Sequence, residues 1–149
     1  MSLNLIEILQ QKILTDIPLT QHMGIEVSCY DGQALQIKAS LEKNINHRQT
    51  AFGGSIASLA TLAAWGWLYL QFYERNIPGR IVIQQSTINY LHPIDADFIT
   101  SCKDVDTVEF DRFLIMLNKK GVARIHLDSE VLCNSVVAAK FSGDFVAKL

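Results

Sequence analysis

The sequence is poor in cysteine, and the few cysteines it has are spread along the chain. Cys29, Cys102 and Cys133 are odd in number, far apart and placed in strand-like segments. A disulfide framework or a metal site needs paired or closer ligands, so neither is indicated. We expect three reduced core residues in a cytoplasmic protein.

Charge is also scarce. Charged residues make up 19% of the chain and the net charge is -2, without a dense cluster of Lys and Arg. That balance gives no electrostatic basis for binding nucleic acid or an anionic membrane. Residues 1–15 contain Glu7 and alternate polar with apolar side chains, so no signal peptide is expected there. No metal-binding pattern is formed by His22, His92 and His126.

The segment between Arg48 and Glu74 carries no charged side chain. From Ile56 on it is rich in helix formers, and roughly twenty residues at about 1.5 Å each make a rod about 30 Å long. Its apolar side chains lie all round, which is typical of a helix that is buried on every side or lies in lipid.

Burial in a protein core is favoured over a membrane span. The run is interrupted by Ser55, Ser58, Thr61 and Gly66, and most of the remaining chain consists of amphipathic strands that need a core to cover. One face of the helix carries only small residues, where a sheet could approach closely: Gly53, Ala57, Ala60 and Ala64.

Alternating patterns predict strands on both sides of this helix. Residues 3–14 form a short amphipathic helix that ends before Pro18. Residues 25–29 and 35–41 alternate, and Asp31-Gly32 predicts a two-residue hairpin turn between them. Later strands are predicted at 80–91, 97–105, 122–132 and 136–146, with a weaker turn at Asn134-Ser135.

Residues 106–117 change to a helical period, so a helix interrupts the later strands. Asp106 and Glu109 resemble a capping box, and Lys119-Lys120-Gly121 is a matching stop. The element order predicts one α+β domain over residues 1–149, with an antiparallel sheet of about six strands wrapped round a long central helix and a helical insertion near 106–120.

The run 80–91 is unusually polar for a strand that is expected to be central. Gln84 and Gln85 lie in its interior, and they fit either a solvated or subunit-facing surface or the polar wall of a pocket. Because a curled sheet leaves edges to cover, we expect a homodimer, with or without further pairing of dimers.

The stretch from Asn46 to Thr61 is N-H-R-Q-T-A-F-G-G-S-I-A-S-L-A-T. It resembles the hotdog-fold acyl-CoA thioesterases, whose corresponding stretch is typically N-x-x-G-x-x-H-G-G with a carboxylate one or two helical turns beyond. It is more similar still to the thioesterase domain at the C-terminus of YiiD-type proteins, and residues 88–93 look like that family's third strand and its proline end. The resemblance implies a hotdog fold and an acyl thioester of coenzyme A or acyl carrier protein as substrate, with no other cofactor.

Three positions depart from the family pattern. Phe52 replaces the histidine, Gln49 replaces a glycine, and Thr61 stands where the carboxylate is expected. That carboxylate is the expected general base or nucleophile of the relatives, so its replacement bears directly on activity. The positions that match are Asn46, Thr50, Gly53 and Gly54.

The start of the long helix is the predicted reaction centre. The amides of Gly53 and Gly54 could stabilise an oxyanion, or both glycines could serve tight packing alone. Asn46 either positions water or holds the loop, and His47 is either a base or a solvent-facing loop residue. Thr61 would need a base of its own, and a helical threonine usually bonds to its own turn.

The lead hypothesis is a hydrolase of acyl thioesters. A non-catalytic module that binds acyl thioesters is the main alternative, and a hydratase is less well supported. Three further carboxylates could supply a base from either subunit, although the spacing singles out none: Glu74, Asp95 and Asp97. The residues predicted to contact substrate are Thr50, Phe52, Ser58, Gln84 and Gln85.

Overall fold

The computed structural model describes residues 4–149, and in this range one sheet and one long helix dominate. The strand order is β1-β2-β4-β5-β6-β3, with antiparallel neighbours throughout, so the predicted α+β architecture is confirmed. The helices are α1 (Leu5–Asp16), α2 (Gly53–Glu74) and α3 (Thr107–Lys120). The strands are β1 (Ile25–Tyr30), β2 (Leu35–Ala39), β3 (Arg80–Tyr90), β4 (Phe98–Cys102), β5 (Val122–Cys133) and β6 (Val136–Lys148).

The long helix α2 begins at Gly53, one turn earlier than Ile56. Its small residues Ala60 and Ala64 are fully buried, and the hydroxyl of Ser129 on β5 donates to the carbonyl oxygen of Ala60 at 2.9 Å. The sheet therefore approaches the helix backbone closely at Ala60 and Ala64, as predicted, whereas Gly53 and Ala57 of the same predicted face are only half-buried. Among the described residues, no helix is both long enough and apolar enough to cross a membrane.

One stripe of α2 is not covered by its own sheet, so the expectation of burial on every side is wrong for the single chain. Ser58, Thr61, Trp65 and Tyr69 follow helical spacing and all remain half-exposed. The indole N–H of Trp65 donates to the carbonyl oxygen of Ile81 at 3.2 Å, which ties this stripe to β3.

The hairpin of β1 and β2 differs from its prediction in the turn. Tyr30 pairs with Leu35, so residues 31–34 form a four-residue loop and not a two-residue turn. The carboxylate of Asp31 accepts the backbone N–H groups of Gln33 and Ala34 at 2.9 and 2.8 Å, which stabilises the longer loop.

Two of the three cysteines are buried, but Cys29 is exposed. A bulge between Val27 and Cys29 shifts the register of β1, and such a shift moves the following side chain to the other face of the sheet. The expectation that Cys29 belongs to the core is therefore wrong. Burial raises the pKa of the Cys102 thiol to about 12, which keeps that core cysteine unreactive.

The polar strand β3 lies at an edge of the sheet and not at its centre, since β6 is its only neighbour among the described strands. Most of its side chains are exposed, including Gln84 and Gln85. Its polarity thus has a simple structural basis in the single chain, because an edge strand faces solvent unless a partner covers it.

The ends of the later elements agree with the sequence signals. Asp106 accepts the N–H groups of Val108 and Glu109 at the start of α3, and Gly121 ends that helix with a left-handed φ of +74°. The carboxylate of Glu109 pairs with Arg112 and does not return to the backbone of Asp106. Asp106 therefore caps the helix alone, and the predicted capping box is wrong. Residues 134 and 135 link β5 to β6 with φ values of +49° and +64°, as a two-residue hairpin requires.

Candidate active site

The motif loop folds back on itself just before α2. Ile45 and Ala51 form an isolated antiparallel bridge, and the N–H of Asn46 donates to the carbonyl oxygen of Thr50 at 2.8 Å. Gln49 adopts a left-handed backbone with φ of +63°. That conformation favours glycine, which explains in physical terms why a glycine suits this position in the family pattern.

Asn46 holds this loop through its side chain. Its amide oxygen accepts the N–H of Arg48 at 2.8 Å and both the N–H and the hydroxyl of Thr50 at 3.2 Å. Its amide nitrogen has only a long contact of 3.4 Å to the carbonyl oxygen of Ala51. The oxygen of Asn46 is therefore occupied by the loop, while the amide N–H₂ group is weakly bound.

The loop leads directly into α2, whose first turn has no side-chain cap. Phe52 occupies the N-cap position and its side chain makes no capping hydrogen bond. The first turn of a helix leaves its N–H groups without intrahelical partners, at the positive end of the helix dipole. Gly54, in this first turn, is exposed to solvent.

Aromatic rings flank both glycines of the pair. A Cβ on Gly54 would lie 2.4 Å from the ring of Phe52, whereas a Cβ on Gly53 would meet the ring of Tyr90 at an ordinary 3.5 Å. Phe52 is 57% exposed, so its ring has room to turn away. Gly54 thus provides space that Phe52 fills in this structure, and the packing interpretation of that glycine gains direct support.

The two hydroxyl side chains farther along α2 are bonded to their own helix. Thr61 donates to the carbonyl oxygen of Ala57 at 2.8 Å, and Ser58 donates to that of Gly54 at 2.8 Å. Both residues lie on the half-exposed stripe of α2. Among residues 4–149, no base forms a hydrogen bond with the Thr61 hydroxyl, so this side chain is not poised as a nucleophile.

The predicted polar pair on β3, Gln84 and Gln85, contacts β5 and β6 and not the loop. The amide oxygen of Gln84 accepts a hydrogen bond from Arg124 on β5 at 3.2 Å, and Gln85 pairs in register with Asp144 on β6. The predicted residues that do gather near the start of α2 are the loop and first-turn positions: Asn46, His47, Thr50, Phe52, Gly53 and Gly54, with Ser58 and Thr61 one and two turns on.

The carboxylates considered as bases have other partners or positions. Glu74 lies at the far end of α2 and accepts the hydroxyl of Tyr30 at 2.6 Å, while Asp97 accepts the N–H of Leu41 at 2.8 Å. Asp95 is exposed and follows Ile94, whose carbonyl oxygen accepts the N–H of Ala51 at 2.8 Å. Of the three, Asp95 is thus joined most directly to the loop.

The titratable cluster outside the loop lies on β5 and β6. His126 contacts Asp144 at 2.8 Å and Asp128 at 3.1 Å, and the hydrogen bond with Asp144 is the main cause of a raised pKa for His126. A recess of about 290 Å³ borders this cluster and also includes Lys103 and Arg124, but none of its lining residues comes from the loop or α2. Within residues 4–149, no group of His, Cys, Asp and Glu is arranged to hold a metal ion.

Tyr90 is the residue that the sequence did not single out. It ends β3, 37 positions after Gly53, and its hydroxyl donates to the Gly53 carbonyl oxygen at 3.0 Å. The similarity of residues 88–93 to the family's third strand was a signal for the strand, but not for this contact with the helix.

The chain matches known proteins over nearly its whole length. Residues 6–149 match the family model described as "Putative thioesterase (yiiD_Cterm)". A protein of unknown function from Chlorobaculum tepidum TLS is 32% identical with a TM-score of 0.91, over 95% of this chain and 93% of that one. The "putative thioesterase" of Shewanella oneidensis is 29% identical with a TM-score of 0.87, over 97% of this chain and 98% of that one.

A more distant structure shows the same fold. A "probable thioesterase" from Pseudomonas aeruginosa is 17% identical, with a TM-score of 0.83 over 99% of this chain and 97% of that one. These likenesses confirm the hotdog fold predicted from the sequence. The match over residues 6–149 shows that the chain belongs to the yiiD_Cterm family.

Proposed function

We propose that the protein is a cytoplasmic homodimer that hydrolyses acyl thioesters of coenzyme A or of acyl carrier protein. The observation that carries the proposal is the start of α2, which has no side-chain cap and an exposed Gly54, in a chain of a thioesterase-like family. Backbone N–H groups at such a helix start suit the negative charge that develops on a thioester oxygen during hydrolysis.

In this reaction the oxygen of a water molecule adds to the thioester carbonyl carbon and loses a proton to a base. The carbonyl oxygen becomes an oxyanion, which the amides of Gly53 and Gly54 hold. The C–S bond then breaks, and the sulfur leaves as a thiol once it has taken up a proton. His47 is exposed on the loop and is the titratable side chain that we assign to the proton transfer.

A second subunit completes the substrate channel in this proposal. The edge strand β3 and the half-exposed stripe of α2 lie on the part of the single chain that is left uncovered. A partner that pairs through β3 would cover both and leave a path for the acyl chain along α2. No cofactor takes part, because the coenzyme or carrier belongs to the substrate.

The test is release of free thiol from short, medium, long and aromatic acyl-CoA substrates. We expect turnover of at least one of them, and we expect Gly54→Val to lower kcat/KM by at least about tenfold, because its side chain displaces Phe52 and crowds the amide. Ser55→Val, one residue along the same helical turn, is the matched control for the stability cost of valine. Equal losses in both variants would contradict the assignment of Gly54.

A binding module is the second candidate, and one observation favours it. Thr61 replaces the expected carboxylate and is bonded into its own helix at 2.8 Å. The same substrate panel separates the two functions. Saturable binding of an acyl-CoA without release of thiol would support the binding module and exclude hydrolysis of that panel.

A further inference from the structure

Tyr90 connects the edge strand β3 to the first turn of α2. Its hydroxyl donates to the carbonyl oxygen of Gly53 at 3.0 Å, and its ring lies 3.5 Å from the place of a Cβ on Gly53. Tyr90 is itself 53% exposed, so it is not a core residue held in place by burial. Its hydroxyl is linked to the helix start through the Gly53 carbonyl oxygen.

That peptide group contains the N–H of Gly54. The carbonyl of Gly53 and the amide of Gly54 belong to one planar unit, so a hydrogen bond to the oxygen fixes the direction of the N–H. A bond to the carbonyl oxygen also polarises the unit and strengthens the N–H as a donor, as in chains of hydrogen bonds. The carbonyl of Gly53, as the first residue of α2, also faces the N–H of Ala57 one turn along the helix, so the Tyr90 hydroxyl is a second donor to the same oxygen.

We propose that Tyr90 is a positioning residue for thioester hydrolysis, which holds and polarises the Gly53–Gly54 peptide so that its N–H binds the oxyanion more strongly. This inference rests on the proposed function. Tyr90 does not touch the reacting atoms in this role; it acts through the Gly54 amide. Because β3 is also the edge that a partner subunit would cover, the same tyrosine links the subunit interface to the reaction centre.

Tyr90→Phe is the direct test, since it removes the hydroxyl and keeps the ring against Gly53. We expect kcat to fall by about tenfold while KM stays within about twofold, because the bond matters most when charge develops on the oxygen. The midpoint of urea unfolding should not change, as the lost hydroxyl is on an exposed side chain. Tyr73→Phe, an exposed tyrosine at the far end of α2, is the matched control and should keep full turnover.

A measurement on the protein without substrate complements the kinetic test. The backbone amide resonance of Gly54 should shift in Tyr90→Phe and stay in place in Tyr73→Phe, because only the former loses a bond to the Gly53 carbonyl. A wild-type protein that turns over no acyl-CoA would overturn the proposed function together with this inference. Wild-type turnover that Tyr90→Phe retains in full, or an unmoved Gly54 resonance, would overturn the inference alone.

Discussion

At the scale of single residues, the loop before α2 depends on one amide side chain. Asn46 was predicted either to position water or to hold the loop, and its oxygen accepts hydrogen bonds from Arg48 and Thr50 in the structure. The loop-holding role is thus visible in the contacts. A role in positioning water stays a prediction that involves the weakly bound amide N–H₂ group.

Two substitutions of Asn46 separate these roles. Asn46→Ala should lower the free energy of unfolding by about 0.5–1.5 kcal/mol, because the half-buried N–H and hydroxyl of Thr50 and the exposed N–H of Arg48 lose their acceptor. Asn46→Asp keeps an oxygen in the same place and should stay within about 0.5 kcal/mol of the wild type. Urea unfolding measures both changes.

The activity of the two variants then shows whether the N–H₂ group of Asn46 takes part in the reaction. Turnover by Asn46→Asp at the wild-type rate would show that the loop needs only the oxygen. A loss of turnover at unchanged stability would show that the amide N–H₂ acts on water or substrate. An alanine variant as stable as the wild type would contradict the loop-holding role.

Some residue-level features could not be predicted because they depend on backbone angles and distant contacts. Gln49 was noted only as a departure from a glycine, and its left-handed φ of +63° gives that departure a physical meaning. Phe52 fills the space beside Gly54, and Tyr90 reaches Gly53 from a strand that the chain enters much later. No spacing rule connects residues that meet only after folding.

At the scale of elements, alternation and helical period predicted nearly every helix and strand, because one face of each is buried. The predicted strands at 35–41 and 122–132 correspond to β2 and β5, and buried and more exposed side chains alternate along β2 and the first part of β5. The bulge in β1 and the four-residue loop after Tyr30 were not, since an extra residue changes the register without changing the apparent period. The edge position of β3 also escaped prediction, because strand order depends on tertiary pairing.

The hairpin of β5 and β6 carries a pH-dependent cross-strand pair. His126 and Asp144 are partners in register, and their side chains are 2.8 Å apart. Their hydrogen bond, assisted by the charge of Asp128, raises the pKa of His126 in the folded protein. A raised pKa in the folded state stabilises the protein fully below the pKa of the unfolded histidine, and this contribution is lost as pH rises through the folded pKa.

We therefore expect His126→Gln to cost more stability at about pH 5.5 than at about pH 8.5, with a difference below about 1 kcal/mol because the pair is solvent-screened. Urea unfolding of both proteins at the two pH values measures this difference. The control is the same substitution in an Asp144→Asn background, where the difference between the two pH values should be smaller because the main hydrogen-bond partner of His126 is gone. A larger cost for His126→Gln at the alkaline value would contradict the assigned direction of the pKa shift.

At the scale of the whole molecule, the motif predicts a reaction centre at the start of α2, where Phe52 and Gly54 are exposed on the surface of the single chain. The fold and the family were predictable because the element order, the loop motif of residues 46–61 and the strand at 88–93 agree with one family, whose model matches residues 6–149. The acyl channel was not, since in our proposal its second wall belongs to another subunit. The uncovered stripe of α2 and the edge strand β3 indicate where that subunit would dock.

Ile83 on β3 provides the test of this docking. It pairs in register with Phe145, which is fully buried, yet Ile83 itself is 39% exposed at the sheet edge. A partner subunit that continues the sheet would bury this side chain. A lysine at this position would have to bury its charge in the interface, which would disfavour dimer formation. We expect the wild type to be dimeric and Ile83→Lys to weaken dimerisation by at least about tenfold, as measured by light scattering over a dilution series.

Ile115→Lys is the matched control, because Ile115 is an isoleucine on α3 that is 67% exposed and lies away from β3. Its dimerisation should equal that of the wild type. If the reaction centre needs both subunits, thiol release by Ile83→Lys should recover as protein concentration rises and the dimer reforms, while Ile115→Lys stays active throughout. A monomeric wild type that turns over substrate at full rate would contradict the shared channel, since one chain would then contain the whole site.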